Sequence, residues 1–467
     1  MHNIENVVDR QMCVGCGACS VATGGAIPIS ISTRQSYEAD ITGVNSEDRS
    51  AASAVCPFSD DSKNEDELAE QLFSPDLASH SLLGKYSDVF AGRLSDDASL
   101  LESSSGGLTS WVASRLVELG HVDGVVHMGP SGQDGLLFKY QVSYSGDAVR
   151  GKRKSMYYSA SFAEVVESIR GDGKKYAFVG VPCFVRAIRL LGDQDSSLAD
   201  QVAFCLGLVC GHLKSFGFAE SLAWQAGVSP DELAAVDFRV KDESSTASRY
   251  RFGARRYSDS EFVTMPTAQL TGGSWGHGFF QLNACNYCDD IFAETADVVF
   301  GDAWIPAFSD DWRGTNVVVS RNDVIDKVLQ DGVSDGSIDR YEISAADAAK
   351  SQAGNFRHRR VGLSLRLKDD VERGLSVPVK RVAPGGIDVS PARARVIRTR
   401  RLLSLASQEA FVEAKERGSL DYFLREMKPL LRSYRSAELA SLSRRRALSS
   451  LLGQFRRSIR ASTRRLR

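Results

Sequence analysis

The chain has a run of three cysteines near its start, Cys13, Cys16 and Cys19, followed at a distance by Cys56. A C-x-x-C-x-x-C run can wrap three thiolates around one face of a cubane iron–sulfur cluster, and a distant Cys-Pro can supply the fourth ligand. Zinc is the alternative, although zinc sites usually contain two separated C-x-x-C pairs. The spacing therefore predicts a [4Fe–4S] cluster and makes electron transfer the first functional hypothesis.

Composition narrows the functional classes. The chain has 467 residues, enough for two or three domains, and its net charge of -2 gives no general bias toward nucleic acid. No window is apolar for long enough to cross a bilayer, and the N-terminus lacks a basic-then-apolar leader. We therefore expect a cytoplasmic protein. Because that compartment keeps thiols reduced, the nine cysteines are better interpreted as ligands than as disulfides.

Four further cysteines form a second candidate set. Cys285 and Cys288 make a C-x-x-C pair, while Cys183 and Cys210 each follow a short apolar run that is typical of a β-strand. Strand ends are where α/β folds place their reactive groups, so these four residues are a natural ligand set for a second cluster. A zinc site, or a set of unrelated core cysteines, is the alternative. Cys205 lies inside an apolar strand pattern and is interpreted as a buried structural residue.

Apolar patterns in the middle of the chain alternate between helix and strand. We predict helices at 162–170, 184–191 and 216–226, and strands at 176–181, 202–209 and 296–304. Such alternation is typical of an α/β domain.

A turn of small residues, Ser105-Gly106-Gly107, precedes another segment whose apolar residues share one helical face. A turn of this kind opens a helix with free N–H groups and a positive dipole end, which suits a phosphate group. Capping of the helix without any ligand is the alternative. A basic and aromatic stretch farther along could contact the same dinucleotide, or could form a solvated turn; it contains Lys154, Ser155 and Tyr157.

These motifs occur in an order that resembles the coenzyme F-420 hydrogenase/dehydrogenase beta-subunit family, over about residues 10 to 320. The shared motifs are Cys13-Val-Gly-Cys16-Gly-Ala-Cys19, Ser105-Gly-Gly107, Lys154-Ser-Met-Tyr157, Gly180-Val-Pro-Cys183, Gly207-Leu-Val-Cys210, Cys285-Asn-Tyr-Cys288 and Ala296-Asp-Val-Val-Phe-Gly-Asp-Ala-Trp304. The ordered set is far more specific than any one of its members.

The resemblance implies an iron–sulfur flavoprotein. Relatives in this family include the subunit that reduces the deazaflavin coenzyme and the ferredoxin-dependent 7-hydroxymethyl chlorophyll a reductase. By resemblance, the eight cysteines named above would hold two [4Fe–4S] clusters, and FAD would be the flavin. The implied FAD contacts are Ser105, Gly106, Gly107, Lys154 and Ser155. The N-terminal region departs from members that have a complete two-cluster ferredoxin insert, because only Cys56 answers the triple run.

The predicted fold class is α/β, with an α+β organisation overall. We expect a ferredoxin-like iron–sulfur segment at 1–75 and the FAD-binding N-terminal part of the beta-subunit-like domain at 76–165. The C-terminal part of that domain, with the second cluster, is expected at 166–345. A helical, Arg-rich tail is expected at 346–467.

The preferred function is a ferredoxin-dependent flavin oxidoreductase that passes electrons through two clusters and FAD to a small organic substrate, in cell-surface polysaccharide or tetrapyrrole metabolism. The alternative is an electron-transfer beta subunit that exchanges electrons between coenzyme F-420 and a hydrogenase or dehydrogenase partner. A non-catalytic interaction protein is the third hypothesis, and the eight candidate ligands argue against it. His212, His277 and Asp302 are the catalytic candidates, because each lies beside a ligand or a Gly-rich turn. A structural role is the alternative for each of them.

The C-terminal end is rich in Arg and Leu. Five apolar residues there would share one face of a basic amphipathic helix: Leu448, Leu451, Leu452, Phe455 and Ile459. Such a helix could rest on an anionic membrane surface, which would make the protein peripheral at the inner membrane face, or could dock on a partner. A solvated or poorly ordered basic tail is the alternative.

Overall fold

The computed structural model describes residues 2–133 and 135–442. Its N-terminal region consists of short helices and two small hairpins. The elements are α1 (Ile4–Asp9), α2 (Ala18–Ala22), β1 (Ile29–Ile31), β2 (Tyr37–Ala39), α3 (Ser46–Val55), α4 (Glu65–Leu72), β3 (Ala78–His80) and β4 (Gly84–Tyr86). Strand β1 pairs with β2 and β3 pairs with β4, both antiparallel.

The central region follows, and it alternates between strands and helices. Its first half contains β5 (Asp88–Leu94), α5 (Asp97–Leu101), α6 (Leu108–Glu118), β6 (Gly124–Gln133), β7 (Leu136–Ser143), α7 (Gly146–Arg150), α8 (Ala163–Ile169), β8 (Tyr176–Gly180), α9 (Pro182–Gln194), α10 (Ser196–Gln201) and β9 (Val202–Leu208). Its second half contains α11 (Gly217–Gln225), β10 (Leu233–Val240), β11 (Arg251–Arg256), β12 (Val263–Pro266), β13 (Val298–Asp302), α12 (Pro306–Ser309), β14 (Asn316–Ser320), α13 (Asp323–Ser334) and β15 (Ile338–Glu342).

The C-terminal region is helical. It contains α14 (Ala345–Ser351), α15 (Ala353–Phe356), a π-helical stretch (Arg357–Val361), α16 (Gly362–Val371), α17 (Pro391–Glu416) and α18 (Leu420–Ser441). No helix in the described residues is long and apolar enough to span a bilayer.

An eight-stranded mixed sheet organises the central region, in the order β15-β5-β14-β13-β9-β8-β6-β7. The four strands β13, β9, β8 and β6 run parallel, and antiparallel strands flank them on both sides. Parallel strands are covered by helices on both faces, which explains their continuous apolar runs. Helices α6 and α13 cover one face of the sheet, while α8 and α9 cover the other. The predicted α/β class is confirmed.

A second, three-stranded sheet of β10, β11 and β12 packs with α11 and with the two long C-terminal helices. Phe411 of α17 and Phe423 of α18 contact Phe280 edge-on or tilted, with ring centroids 5.5 and 5.8 Å away. The helical prediction for the C-terminal region is therefore confirmed for the described residues. These helices do not extend away as a tail, because their apolar faces form part of a core shared with the central region.

The predicted elements agree closely with the structure. The helix predicted at 162–170 is Ala163–Ile169, and the strand predicted at 202–209 is Val202–Leu208. Helix α9 begins earlier than the pattern indicated, since Pro182 occupies its first turn, where a missing N–H costs nothing. The proposed amphipathic face formed by Leu448, Leu451, Leu452, Phe455 and Ile459 lies outside the described residues.

Candidate functional site

The candidate site lies at one edge of the large sheet. Strands β8, β9 and β13 are parallel, so their carboxyl ends meet there. Strand β14 runs antiparallel to β13 and to β5, which brings the end of β5 and the start of β14 to the same edge. Ligands of open α/β sheets bind at this kind of edge. The loops that leave it therefore determine the chemistry of the site.

The first cysteine set converges in the N-terminal region. Cys13, Cys16, Cys19 and Cys56 line one small cavity, and Cys56 is placed there by the end of α3. Backbone N–H groups of Gly15 and Ala39 donate to the Cys13 sulfur, each at 3.4 Å. Amide donors aimed at sulfur are a common feature of iron–sulfur sites. We call these four residues the first tetrad.

The glycine that follows Cys13 and Val14 explains how this loop closes. Gly15 has a φ of +67°, and a Cβ atom there would lie 2.3 Å from the carbonyl oxygen of Tyr37. A side chain at this position would therefore have to displace backbone. The tight approach of the cysteine loop to β2 requires glycine.

The second set also converges, at the edge of the large sheet. Cys183 lies in the first turn of α9, Cys210 follows β9, and Cys285 and Cys288 come from the segment before β13. Cys210, Cys285 and Cys288 all act electrostatically on the thiol of Cys183. The N–H of Leu213 donates to the Cys285 sulfur at 3.2 Å. We call these four residues the second tetrad.

The thiols of both tetrads have raised pKa values, and a bound cationic group would lower them. Burial, with a smaller contribution from a neighbouring cysteine of the same tetrad, raises the pKa of Cys56 to about 12 and the pKa of Cys288 to about 11. Thiols with raised pKa values resist ionisation near pH 7, whereas bound iron would favour the thiolates. The donor set therefore fits a cluster. Within the described residues, no group of three or more His, Cys, Asp or Glu side chains is arranged to hold a single metal ion.

Cys205 differs from the other eight cysteines. It lies in β9, it is completely buried, and its N–H donates to Asp297 at 2.7 Å. Burial raises its pKa to about 12, and the charges that act most on it are those of Arg189 and Asp297. Its surroundings agree with a structural role.

The two tetrads lie close to each other. Cys16 of the first tetrad acts electrostatically on Cys183 of the second, and both act on Tyr140. Burial, with smaller contributions from these two sulfurs, raises the pKa of Tyr140. Its ring stacks on Phe178 and Phe184, with centroids 5.6 and 5.8 Å away. An apolar aromatic group of β7, β8 and α9 therefore lies beside both tetrads.

A cavity of about 1600 Å³ opens beside the second tetrad. Cys210 lines it, and so do Ser105, Gly107 and Tyr157. A volume this large exceeds the usual range for a single small ligand, so it has room for a dinucleotide and a second molecule. The first turn of α6 faces the same space through Thr109 and Ser110. A helix N-terminus of this kind favours phosphate.

Most of the residues predicted to contact FAD come together in this cavity. Lys154 and Ser155 line it, and the N–H of Ser155 donates to Ser104 at 2.8 Å, which ties the basic stretch to the serine turn. Gly106 has a packing role: a Cβ there would lie 2.8 Å from the carbonyl oxygen of Gly92 on β5. Gly106 therefore allows the serine turn to pack against the sheet edge, and in that position the adjacent residues of the turn can face a ligand.

The cavity wall is strongly basic. Among the described residues, ten basic side chains line it, against three acidic ones. The basic residues are Lys152, Arg153, Lys154, Lys214, Arg239, Arg249, Arg251, Lys350, Arg357 and Arg435, and the acidic residues are Asp242, Asp302 and Glu438. An excess of positive charge in a cleft attracts anionic ligands. This distribution fits the diphosphate of a dinucleotide.

Two family models match the chain, and both describe the beta subunit of coenzyme F420 hydrogenase/dehydrogenase. The model of its N-terminal part matches residues 89–167, and the model of its C-terminal part matches residues 173–346. Together they account for more than half of the chain. The chain belongs to the coenzyme F420 hydrogenase/dehydrogenase beta-subunit family.

The chain is similar to two proteins from methanogenic sources. The coenzyme F420 hydrogenase subunit beta of Methanothermobacter thermautotrophicus is 22% identical over 263 residues, covering 55% of this chain and 84% of the relative. A chain of the F420-reducing [NiFe] hydrogenase complex from Methanosarcina barkeri aligns with a TM-score of 0.48 and 17% identity, covering 65% of this chain and 99% of that one.

The family match divides the candidate site. The cysteines of the second tetrad and the predicted FAD contacts lie inside the matched residues, whereas the first tetrad precedes them. The helices after residue 346 follow them, yet Arg357 and Arg435 from this region line the cavity. Residues on both sides of the matched region therefore contribute to the candidate site.

The three catalytic candidates all line the cavity. His212 stacks on Trp275 with ring centroids 4.3 Å apart, and burial lowers its pKa well below the usual value. Burial, assisted by Arg435, lowers the pKa of His277 to about 4. Asp302 accepts two hydrogen bonds from Arg239, at 2.8 and 3.0 Å. The two imidazoles are therefore neutral near pH 7, and the carboxylate is held in an ion pair.

Sequence reasoning missed several cavity residues. Arg239 and Lys214 lie in segments without a recognisable motif, and Arg357 and Arg435 come from the region predicted to be a tail. Only the excess of arginine after residue 390 hinted at an anionic partner. Tertiary contacts, rather than spacing along the chain, bring these side chains to the site.

Proposed function

We propose that this chain is an electron-transfer oxidoreductase subunit that exchanges electrons between coenzyme F420 and a hydrogenase or dehydrogenase partner, with two [4Fe–4S] clusters and FAD as cofactors. Membership of the family supports this proposal. The observation that carries it is the position of Cys210, which belongs to the second tetrad and also lines the basic cavity. A cysteine that faces both spaces suits electron exchange between them.

The residues that would hold each cofactor form three neighbouring groups. Cys13, Cys16, Cys19 and Cys56 would hold one cluster, and Cys183, Cys210, Cys285 and Cys288 the other. Ser105, Gly107, Lys154, Ser155 and Tyr157 would hold FAD. When bound, clusters supply one-electron chemistry, and a flavin links it to two-electron hydride chemistry.

The chain's own residues shape the flavin end of the cavity. Lys241, which follows β10, donates to the carbonyl oxygens of Leu100, Ser105 and Arg313, and so ties the serine turn to the loop before β14. Burial, together with Arg239, lowers the pKa of Lys241 to about 7. Lys154 forms an ion pair with Asp237 at 2.9 Å, and this contact orients its ammonium group. These contacts pre-organise the turn before a ligand arrives.

The histidine side chains that could exchange protons with a ligand in the cavity are uncharged near pH 7. The low pKa of His277 means that its imidazolium form is scarcely populated near pH 7, so this side chain offers a hydrogen bond rather than a charge. His277 Nδ1 and His212 Nε2 are buried, and neither has a hydrogen-bond partner among the described residues. Each atom is therefore free to bond a ligand. Asp302 acts through Arg239 and orients the guanidinium beside Tyr157.

A second candidate function is a ferredoxin-dependent reductase of a small organic molecule. One observation favours it: the first tetrad lies outside both family matches, and Cys13 and Cys56 are only partly buried. A cysteine site near the surface can receive single electrons from a soluble carrier. The two candidates share the cofactors and differ in the electron donor.

The first experiment measures iron, acid-labile sulfide, flavin and zinc on the same anaerobically purified sample. About eight irons and one FAD per chain, the content of two cubanes and one flavin, would support the proposal. Zinc without flavin would contradict it. Reduction of the bound flavin by reduced coenzyme F420, compared with reduction by reduced ferredoxin, then separates the two candidate functions.

A further inference from the structure

One arginine beside the second tetrad has no carboxylate partner among the described residues. Arg359, in the π-helical stretch Arg357–Val361, is 1% exposed. Its Nη2 donates to the carbonyl oxygen of Gly211 at 2.7 Å and lies 3.5 Å from that of Cys210. Its Nε and Nη1 are also buried, and neither finds a hydrogen-bond partner in the part of the chain that the structure describes. Two of its three nitrogens are therefore unsatisfied.

Burial of an unpaired cation is costly unless a negative charge lies nearby. The groups that act most strongly on Arg359 are the sulfurs of Cys288, Cys285, Cys210 and Cys183. Once bound iron ionises these thiols, the second tetrad is the counter-charge that the fold offers this guanidinium.

A second arginine adds to the positive field around the second tetrad. Arg400 of α17 interacts electrostatically with Arg359, and its Nε is buried without a hydrogen-bond partner among the described residues. Of the two arginines, Arg359 is the one on which all four cysteines of the tetrad act most strongly.

We propose that Arg359 is a positioning residue for the second tetrad, where its guanidinium supplies the positive charge that balances a bound [4Fe–4S] cluster and raises the cluster's reduction potential. Arg359 lies after the region matched by the family models. The C-terminal helices would therefore tune an electron-transfer site whose ligands come from the matched core. This inference rests on the proposed function in one respect, namely that the second tetrad holds a cluster.

The direction of the effect follows from electrostatics. Reduction adds one electron and makes the cluster more negative, so a nearby positive charge stabilises the reduced form more than the oxidised form. Burial removes the water that would screen this interaction. Loss of the charge should therefore shift the potential to a more negative value.

The test is a redox titration of the full-length holoprotein, followed by electron paramagnetic resonance. Arg359→Gln keeps a hydrogen-bond donor but removes the charge, whereas Arg359→Lys keeps the charge. We expect the Gln variant to lose at least about tenfold in the equilibrium constant for one-electron reduction of one of the two clusters, which corresponds to about 59 mV. The other cluster should keep its potential, and the Lys variant should stay close to the unchanged protein.

Arg321→Gln is the matched control. Arg321 is 4% exposed and donates to five carbonyl oxygens, but the charges that act most on it are those of Glu294, Asp290 and Asp297. Its loss should leave both cluster potentials unchanged. An equal shift in the Arg321 and Arg359 variants would overturn the proposal, as would an unchanged potential in Arg359→Gln.

Iron and sulfide analysis covers the case in which a variant assembles poorly. Loss of about four irons in Arg359→Gln, with full content in Arg359→Lys, would support a requirement for positive charge. Equal loss in both variants would overturn the proposal and assign Arg359 a packing role. Absence of iron from the unchanged protein would contradict the proposed function instead, so the two failures are distinguishable.

Discussion

The two cysteine tetrads contain the same four thiols but differ in the cations around them. Near the first tetrad, Arg34 and Arg186 already have carboxylate partners, Glu38 at 2.6 Å and Glu65 at 3.0 Å. Near the second tetrad, Arg359 has none among the charges that act most on it. An arginine paired with a carboxylate contributes little to the electrostatic potential at a nearby tetrad, whereas an unpaired buried arginine contributes much. The same ligand set can therefore have two different reduction potentials in two surroundings, and we expect the potential of the second tetrad to be the higher.

The largest effect should come from removing one ligand of either tetrad. Cys210→Ser should lose about four of about eight irons, because a cubane needs its fourth thiolate, and Cys16→Ser should lose a similar number. Cys205→Ser, which changes a buried cysteine outside both tetrads, is the control and should keep all of the iron. Iron and sulfide analysis measures these contents. Equal iron in the Cys205 and Cys210 variants would refute the assignment of the second tetrad.

A large effect on stability is expected where the N-terminal region contacts the C-terminal helices, beside the second tetrad. Asp370 has a completely buried side chain, bonds Arg401 at 2.9 Å and Arg10 at 3.1 Å, and accepts from Tyr287, which lies between two ligands of the second tetrad. Asp370→Asn should lower the free energy of unfolding by about 3 kcal/mol, because two partly buried guanidinium groups lose their completely buried carboxylate. Chemical denaturation measures this change.

The neighbouring residue supplies the control for that experiment. Asp369 pairs with Arg398, which is more than half exposed. Asp369→Asn should therefore cost about 1 kcal/mol or less, as exposed ion pairs do. Equal stability of the two variants would show that the ion pairs of Asp370 do not stabilise the contact between the N-terminal region and the C-terminal helices.

A smaller effect concerns the cavity beside the second tetrad. Lys154→Gln should weaken FAD binding about tenfold, the cost of losing one charge-assisted contact to a phosphate, while leaving the iron content intact. Lys139→Gln on β7 is the control and should leave FAD binding unchanged. Flavin titration of the deflavinated protein checks both. Unchanged affinity in Lys154→Gln would remove this lysine from the FAD site.

The smallest expected effect is on the pH dependence of stability. It involves one histidine of the N-terminal region and one of the cavity wall. Burial lowers the pKa of His2, in the N-terminal region, and the pKa of His277, in the cavity wall, to about 4 from a usual 6.5. The folded protein therefore binds fewer protons than the unfolded chain between pH 4 and 6.5. Stability is retained above pH 6.5 and declines as the pH falls toward 4.

Substitution of either histidine tests this pH dependence. His2→Gln and His277→Gln should each reduce by about one the number of protons taken up on unfolding across that window. Denaturation midpoints measured between pH 4 and 7 give this number. A variant with an unchanged slope would show that its imidazole titrates alike in the folded and unfolded states.

Local patterns predicted much of the fold correctly. The alternation of apolar runs identified β8, α9, β9 and α11 within a few residues, because buried parallel strands and amphipathic helices leave distinct periodicities. These local patterns could not predict the antiparallel pairing of β14 with β5, because the paired residues are some 230 positions apart in the chain. Pairing of distant strands leaves no local signal.

Three features could be predicted from the sequence alone: the ligand types, their grouping into a triple run with a distant cysteine and a second set, and the α/β class. Ligand spacing and apolar periodicity are local properties, and a single chain displays them directly. Three other features are visible only in the folded protein. Cys210 also faces a basic cavity, the C-terminal helices complete that cavity, and Arg359 lies beside the second tetrad with two nitrogens unpaired among the described residues. Burial and charge balance depend on which distant segments pack together, so they emerge only when the chain is folded.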